Sequence, residues 1–241
     1  MAFLSIVIPA YNEENRLPAT LARLYSYLGT SPLGDAEVLI VDDGSRDGTA
    51  ALVKDFAHIY PTVRLVSNPG NRGKGYAVRN GMLEAQGEWV LFTDADLSAP
   101  IEEVEKLIAA VRAQNAMGAI GSRALNRKLV SVHQSAFREY SGRFFNLTMR
   151  LITGLPYADT QCGFKLFRRD VAHDVFRRVR IPGFGFDVEA LFVAKLLGHP
   201  VVEVPVRWAN AEGTKVTMLN GLQAFTDLLV VRWNQLRGHY D

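Results

Sequence analysis

Across 241 residues the chain has a single cysteine, Cys162. That excludes an internal disulfide and a cysteine-built zinc cluster, and it fits a reducing, cytoplasmic compartment. No stretch reaches the roughly 18–20 apolar residues that spanning a bilayer needs. The opening residues lack a basic segment, and their apolar run is too short for a secretory signal. Net charge is only +2, from 27 basic and 25 acidic residues, so nucleic acid is not an expected partner. Internal repeats, low-complexity tracts and linkers are also missing, and one domain over residues 1–241 is expected.

What is present is an ordinary globular composition, 48% hydrophobic and 22% charged, in a chain long enough to bury a sizeable core. The charge is unevenly spread. Between residues 123 and 150 lie Arg123, Arg127, Lys128, Arg138, Arg143 and Arg150, with Glu139 as the one acid. This excess suits an anionic partner, phosphate or a membrane surface; an ordinary solvated face is the plainer alternative.

Short β-branched runs alternate with helix-period segments through the first half. The pattern predicts an α/β fold, a mostly parallel sheet flanked by helices. Strands are expected at 5–9, 38–41, 63–67 and 89–93, with a fifth at 119–122. They are nearly continuous in apolar residues, as when both sheet faces are buried. Helices are expected at 17–28, 49–60, 75–85 and 101–114, the last preceded by Pro100, which a first turn tolerates. Beyond Arg123 the rhythm changes. Residues 135–153 read as a helix pair or one long amphipathic helix, 164–167 and 201–206 as returning strands, and 185–197 and 218–236 as helices.

Open parallel sheets bind ligands beyond the carboxyl ends of their strands, and four polar clusters fall there. They are Pro9-Ala10-Tyr11-Asn12-Glu13-Glu14, residues 42–49 with Asp42 and Asp43, residues 68–75 with Arg72 and Lys74, and Asp94-Ala95-Asp96. Any one of them passes as turn chemistry; four at one rim is harder to explain that way. Asp94 and Asp96 alternate along extended chain and point to the same side. Two such carboxylates suit Mg²⁺ or Mn²⁺, which prefer oxygen ligands and keep positions open for substrate phosphates. A metal-dependent enzyme handling a nucleotide diphosphate is therefore expected. The run 70–75 fits either a phosphate cradle before a helix or a flexible loop, and it lacks the Ser or Thr of a Walker loop. Cys162 reads as a small buried side chain, Trp208 as a packing residue, and His133 receives no role.

Residues 5–14 (SIVIPAYNEE), 41–49 (VDDGSRDGT) and 94–96 (DAD) together resemble the family 2 glycosyltransferases of the GT-A fold. Residues 159–167 (DTQCGFKLF), 185–189 (GFDVE) and 213–216 (GTKV) narrow the resemblance. They are similar to the dolichyl- or polyprenyl-phosphate sugar synthases, particularly the dolichyl-phosphate glucosyltransferases. The resemblance implies a Rossmann-like nucleotide-binding half, about residues 1–122, followed by an acceptor half. It places Pro9, Tyr11, Glu13 and Asp43 around base and ribose, and Arg72, Lys74 and Asp94 near the nucleotide. Asp94 and Asp96 would hold a divalent cation, Mg²⁺ or Mn²⁺. Gln161 would lie near the donor sugar, with Arg123 and Arg138 on the sugar or acceptor side. Asp187 and Glu189 would face the acceptor and Lys215 a phosphate. Ser98 stands where the mannosyl branch often carries Gln, which leaves a third protein ligand unassigned.

The implied reaction is inverting transfer of glucose from UDP-glucose to a polyprenyl or dolichyl phosphate, on the inner face of a membrane that the chain touches peripherally. The basic segment 123–150 and the helix 218–236 are the candidates for that contact, or for packing within a homo-oligomer. The alternatives are GDP-mannose as donor, or a hydroxyl acceptor with Asp187 or Glu189 as base.

Overall fold

The computed structural model describes residues 2–31, 33, 35–130, 136–209 and 218–241, with side chains throughout except at 136–144 and 218–222. Seven strands run in chain order as β1 (Leu4–Ala10), β2 (Ala36–Asp42), β3 (Val63–Ser67), β4 (Trp89–Thr93), β5 (Gly118–Ser122), β6 (Phe164–Arg168) and β7 (Val201–Pro205). The helices are α1 (Leu17–Leu28), α2 (Thr49–Ile59), α3 (Lys74–Glu84), α4 (Val104–Ala113), α5 (Ala136–Thr153), α6 (Arg169–Arg178), α7 (Phe186–Leu196) and α8 (Met218–Leu236).

All seven strands join one sheet in the order β3-β2-β1-β4-β6-β5-β7. Every pairing is parallel except those of β6, which runs antiparallel to β4 and β5. Side-chain alternation decides which layer each residue enters, and these strands are apolar on both sides because both faces are covered. Along β1, Leu4, Ile6 and Ile8 enter a core layer shared with Leu17, Leu21 and Leu24 of α1 and Leu107 and Ile108 of α4. Val7 points the other way, to a layer built from Val78 and Met82 of α3, Val175 and Phe176 of α6 and Phe186 and Phe192 of α7. The sheet is thus helix-covered on both faces, as its apolar strands require.

The expected α/β architecture is the one found. Residues 136–153 form one helix rather than a pair, and the segment after Pro100 opens with a 3₁₀ turn, Ile101–Glu103, before α4. One helix was not anticipated. α6 is rich in charge, but Val171, Ala172, Val175 and Phe176 form a buried stripe at helical spacing, and that stripe stabilises it.

Two features of this topology position the site. Sheet order reverses at β1, which is flanked by β2 and β4, so a crevice opens beyond the carboxyl ends of β1 and β4. The antiparallel β6 then begins where β4 ends, pairing Phe164 with Thr93. The loop before β6 is thereby delivered to the loop after β4.

Candidate active site

The residues following β4 are Asp94, Ala95 and Asp96. Thr20 of α1 fixes this turn by donating to the Ala95 carbonyl at 2.5 Å. The backbone N–H of Ser98 donates to Asp96 Oδ1 at 2.9 Å, so Ser98 orients Asp96 through its main chain. Leu97 between them adopts φ 45°, the left-handed conformation that turns the chain back toward the sheet. Asp94 is gripped from two sides. Lys74 Nζ lies 2.7 Å from its Oδ1, and Gly163, at the foot of β6, comes so close that any Cβ there would collide with the carboxylate. Only glycine leaves Asp94 room in this arrangement.

Lys74 opens α3, and its ammonium lies over the rings of Phe92 at 5.4 Å and Phe184 at 5.6 Å. Burial works against its charge, but Asp94, then Asp187 and Asp96, outweigh that and hold its pKa above the ordinary value. Asp187 is brought close by the packing of α3 on the start of α7. A Cβ on Gly75 would lie 2.5 Å from the Ile181 carbonyl oxygen and 2.7 Å from that of Gly183, so this contact requires glycine.

Asp187 sits in the first turn of α7, where the helix dipole favours a carboxylate. It is almost wholly buried and paired with Lys165 Nζ. Lys165 is the second residue of β6, opposite Phe92, and also donates to the Cys162 carbonyl at 2.6 Å. Burial raises the Asp187 pKa, while Lys165 and Lys74 act against the rise. Asp94, Lys74, Asp187 and Lys165 therefore form a chain of alternating charge from the rim into the core.

A second ion pair closes the other wall. Arg123, directly after β5, grips Asp159 through Nε at 2.7 Å, a second nitrogen at 2.8 Å and its backbone N–H at 3.0 Å. Burial alone would raise the Asp159 pKa, but Arg123 outweighs it and holds the carboxyl below its ordinary 3.8. The guanidinium also lies 4.9 Å from the Trp208 ring centre. Glu203 of β7 accepts from the N–H groups of Ala158 and Asp159. These bonds pin the loop that carries Gln161, whose side chain is exposed at the rim.

On the β2 side, Asp43 is buried and organises the glycine-rich loop. It accepts from Asn68 Nδ2 at 2.8 Å, Arg72 N at 3.0 Å and Gly73 N at 2.7 Å. Arg72 itself is exposed. Glu13 pairs with Arg16 at 3.0 Å, and its N–H donates to Thr49 Oγ1. Pro9 and Tyr11 lie half-buried at the end of β1. A cleft of 540 Å³ runs between Glu13, Arg16 and Thr20 on one side and Asp96 on the other.

The structure thus gathers Asp94, Asp96, Lys74 and Asp187 at one rim, with Arg123 and Gln161 on its β5–β6 side. Glu189 is not brought there. It is fully buried, and its carboxylate accepts from Arg180 N, Ile181 N and Tyr240 Oη at 2.7–2.9 Å. Those three donors engage it as a clamp on the chain before α7, which leaves it no part in facing an acceptor. Lys215 lies outside the described residues, as does the side chain of Arg138. Lys165 and Asp159 had received no role of their own. The available signal was a charge in a strand whose neighbours Phe164, Leu166 and Phe167 are all apolar, since a buried lysine demands a partner. Cys162 is buried as expected, and burial raises its thiol pKa.

Two carboxylates at one rim, Asp94 and Asp96, form an oxygen donor set that fits Mg²⁺ or Mn²⁺. Among the described residues no group of three or more His, Cys, Asp or Glu side chains could hold a metal. A cation on Asp94 and Asp96 would therefore depend on water and substrate oxygens for its remaining positions.

Comparison with known proteins agrees with this geometry. The model of glycosyl transferase family 2 matches residues 5–176. The dolichyl-phosphate beta-glucosyltransferase of Homo sapiens is 37% identical over 247 residues, covering 98% of this chain and 76% of that protein. The Saccharomyces cerevisiae protein of the same name is 35% identical, covering 99% and 76%. Among solved structures, glucosyl-3-phosphoglycerate synthase from Mycobacterium tuberculosis superposes with a TM-score of 0.68 at 17% identity, covering 95% of this chain and 80% of that one. A mannosyltransferase from Pyrobaculum calidifontis, in complex with GDP-mannose and Mn²⁺, gives 0.65 at 20% identity, covering 96% and 64%. The fold is that of GT-A glycosyltransferases, and the chain belongs to glycosyl transferase family 2.

Proposed function

We propose that the chain transfers glucose from UDP-glucose to a polyprenyl or dolichyl phosphate, with inversion at the anomeric carbon and dependence on a divalent cation. The observation that carries this reading is the rim cluster of Asp94, Asp96 and Lys74, in a chain 37% identical over nearly its whole length to a dolichyl-phosphate glucosyltransferase. In the reaction, a phosphate oxygen of the acceptor forms the new bond to C1 as the bond from C1 to the nucleoside diphosphate breaks. The acceptor phosphate is largely ionised at neutral pH, since its second pKa is about 6. No proton has to be removed, and a strong base is unnecessary.

The harder task is to stabilise the departing diphosphate. Asp94 and Asp96 would hold the cation, which supplies positive charge against that leaving group. Lys74, already at Asp94, adds a fixed cation beside it. Asp187, buried and held by Lys165, is suited to orienting sugar or acceptor and to balancing Lys74. Arg123 and Gln161 are placed to bound the sugar side.

Among the described residues no helix is long and apolar enough to cross a membrane. The outer faces of α5 and α8 expose Leu147, Leu151, Leu229, Trp233 and Leu236, each at least 55% accessible. Arg150, Arg232 and Arg237 accompany them. Such faces support peripheral contact with the inner, cytoplasmic leaflet, where a lipid acceptor would be met. Asp96→Asn tests the core of the reading: transfer and Mn²⁺ binding are lost while the melting temperature is kept. Near-normal turnover in that variant would contradict it.

A further inference from the structure

A second cleft, of 390 Å³, lies outside the rim between α3 and the segment that leads from α6 to α7. Tyr76 and Arg79, one helical turn apart on α3, form one wall. Arg177 in the last turn of α6 and Arg180 just beyond it form the other, over a floor of Ile181 and Pro182. Three arginines therefore line one concavity, and no acidic residue among those described lines it with them. Among the described residues none of the three is paired with an acid. The nearby Asp174 is taken by Arg178 and His199, and Glu189 is turned inward to its own three donors.

Two of the guanidiniums are held in place by backbone. Arg79 Nε donates to the Phe176 carbonyl at 3.0 Å, and Arg180 Nε to the His239 carbonyl at 3.4 Å. Each bond uses the Nε edge and leaves the two terminal nitrogens, the pair that forks onto a phosphate or carboxylate. The helix end contributes nothing here, because the Gly75 and Tyr76 N–H groups both donate to the Pro182 carbonyl. Like charges gathered without a counter-charge repel one another, and a bound anion relieves that repulsion.

We propose that this cleft is an anion site, separate from the catalytic rim, that takes a phosphate group. Planar guanidiniums on two opposing walls suit a tetrahedral oxyanion with several acceptor oxygens. Pro182 lines this cleft and its carbonyl accepts from Gly75 and Tyr76, so an anion here bears on the same chain segment that sets the α3–α7 junction. His239, which fixes Arg180, follows α8, whose outer face exposes Trp233 and Leu236. That neighbourhood makes a phospholipid head group one source of the phosphate and free phosphate the other.

The test compares the wild-type chain with Arg177→Gln/Arg180→Gln, two exposed positions whose loss spares the core. Binding of inorganic pyrophosphate in chelator-containing buffer is measured by calorimetry. Retention on phosphatidylglycerol vesicles is compared with retention on phosphatidylcholine vesicles. At least one of these is expected to weaken roughly tenfold or more in the variant, while transfer to a short-chain acceptor in solution is kept. Loss confined to pyrophosphate identifies free phosphate as the source, and loss confined to the phosphatidylglycerol preference identifies the head group. Unchanged binding of both probes, or the absence of both in the wild type, overturns the proposal. An Arg177→Lys/Arg180→Lys variant that binds like the glutamine variant would show that the guanidinium fork, not charge alone, is what the site uses.

Discussion

Asp94 carries more of this site than any other side chain, because Lys74 and Gly163 close on it from opposite sides. The glycine is as necessary as the lysine. Gly163→Ala forces a Cβ into the carboxylate, and only movement of Asp94 or of the β6 foot can relieve the collision. Displacing a metal-orienting neighbour typically costs about 10- to 100-fold in metal affinity. The variant should therefore bind Mn²⁺ at least roughly tenfold more weakly by titration calorimetry, with little change in melting temperature. The Arg123–Asp159 pair makes a different prediction. Asp159 has its folded pKa below its ordinary 3.8, so the stability it contributes is complete above 3.8 and is lost as pH falls through the lower, folded value. Asp159→Asn should destabilise the chain at neutral pH, where Arg123 loses its counter-charge. The gap to wild type, followed by denaturant titration, should narrow steadily below pH 3.8. A gap that stays constant with pH would show that the ion pair contributes nothing. At this scale the sequence was legible where residues lie in a recognisable run at a strand end, as at Asp94, Asp96 and Lys74. It marked Lys165 as a charge in an apolar strand but named no partner for it, since that depends on β6 being antiparallel and opposite Phe92. It was silent on Glu189, whose two flanking neighbours in sequence say nothing about Tyr240 fifty-one positions away.

The elements most easily anticipated were those with clean periodicity. β1, β2 and β4 are largely apolar runs of ordinary strand length, and α1 and α4 carry a buried stripe. α6 escaped because charged residues flank a four-residue apolar stripe that only the packed structure gives a partner. The polarity of β6 escaped for a related reason: a strand's direction is settled by its neighbours, not by its own alternation. That reversal brings the loop 159–163 to Asp94 and is the topological event on which the site depends. α5 and α8 pack on each other, with Phe145 and Phe225 in edge contact at 5.2 Å, and keep apolar residues on their outer faces. If those faces seat the protein on a bilayer, Trp233→Ser/Leu236→Ser should sharply reduce co-flotation with anionic liposomes at low salt. Melting temperature and turnover of a short-chain acceptor should be preserved. Equal flotation of variant and parent would remove α8 from the membrane contact.

For the whole molecule, the sheet supplies a crevice at its point of reversal, two oppositely covered faces hold it rigid, and the rim side chains determine the chemistry. The charges at the rim alternate, carboxylate with ammonium, so Asp94 and Asp187 are each paired with a lysine, and in the proposed reaction a doubly charged leaving group would meet fixed cations. In the proposed reaction, Pro9, Tyr11, Glu13 and Asp43 at the ends of β1 and β2 would border the donor, and Arg123 and Gln161 on the β5–β6 side the acceptor. The most direct measurement is therefore transfer itself: radiolabelled UDP-glucose is incubated with polyprenyl phosphate and Mn²⁺, and label is counted in the organic phase. The account predicts time-dependent lipid-borne label with the parent chain, little with GDP-mannose in its place, and none with Asp96→Asn. Label that stays in the aqueous phase with polyprenyl phosphate present, or that reaches the lipid undiminished in Asp96→Asn, would contradict it.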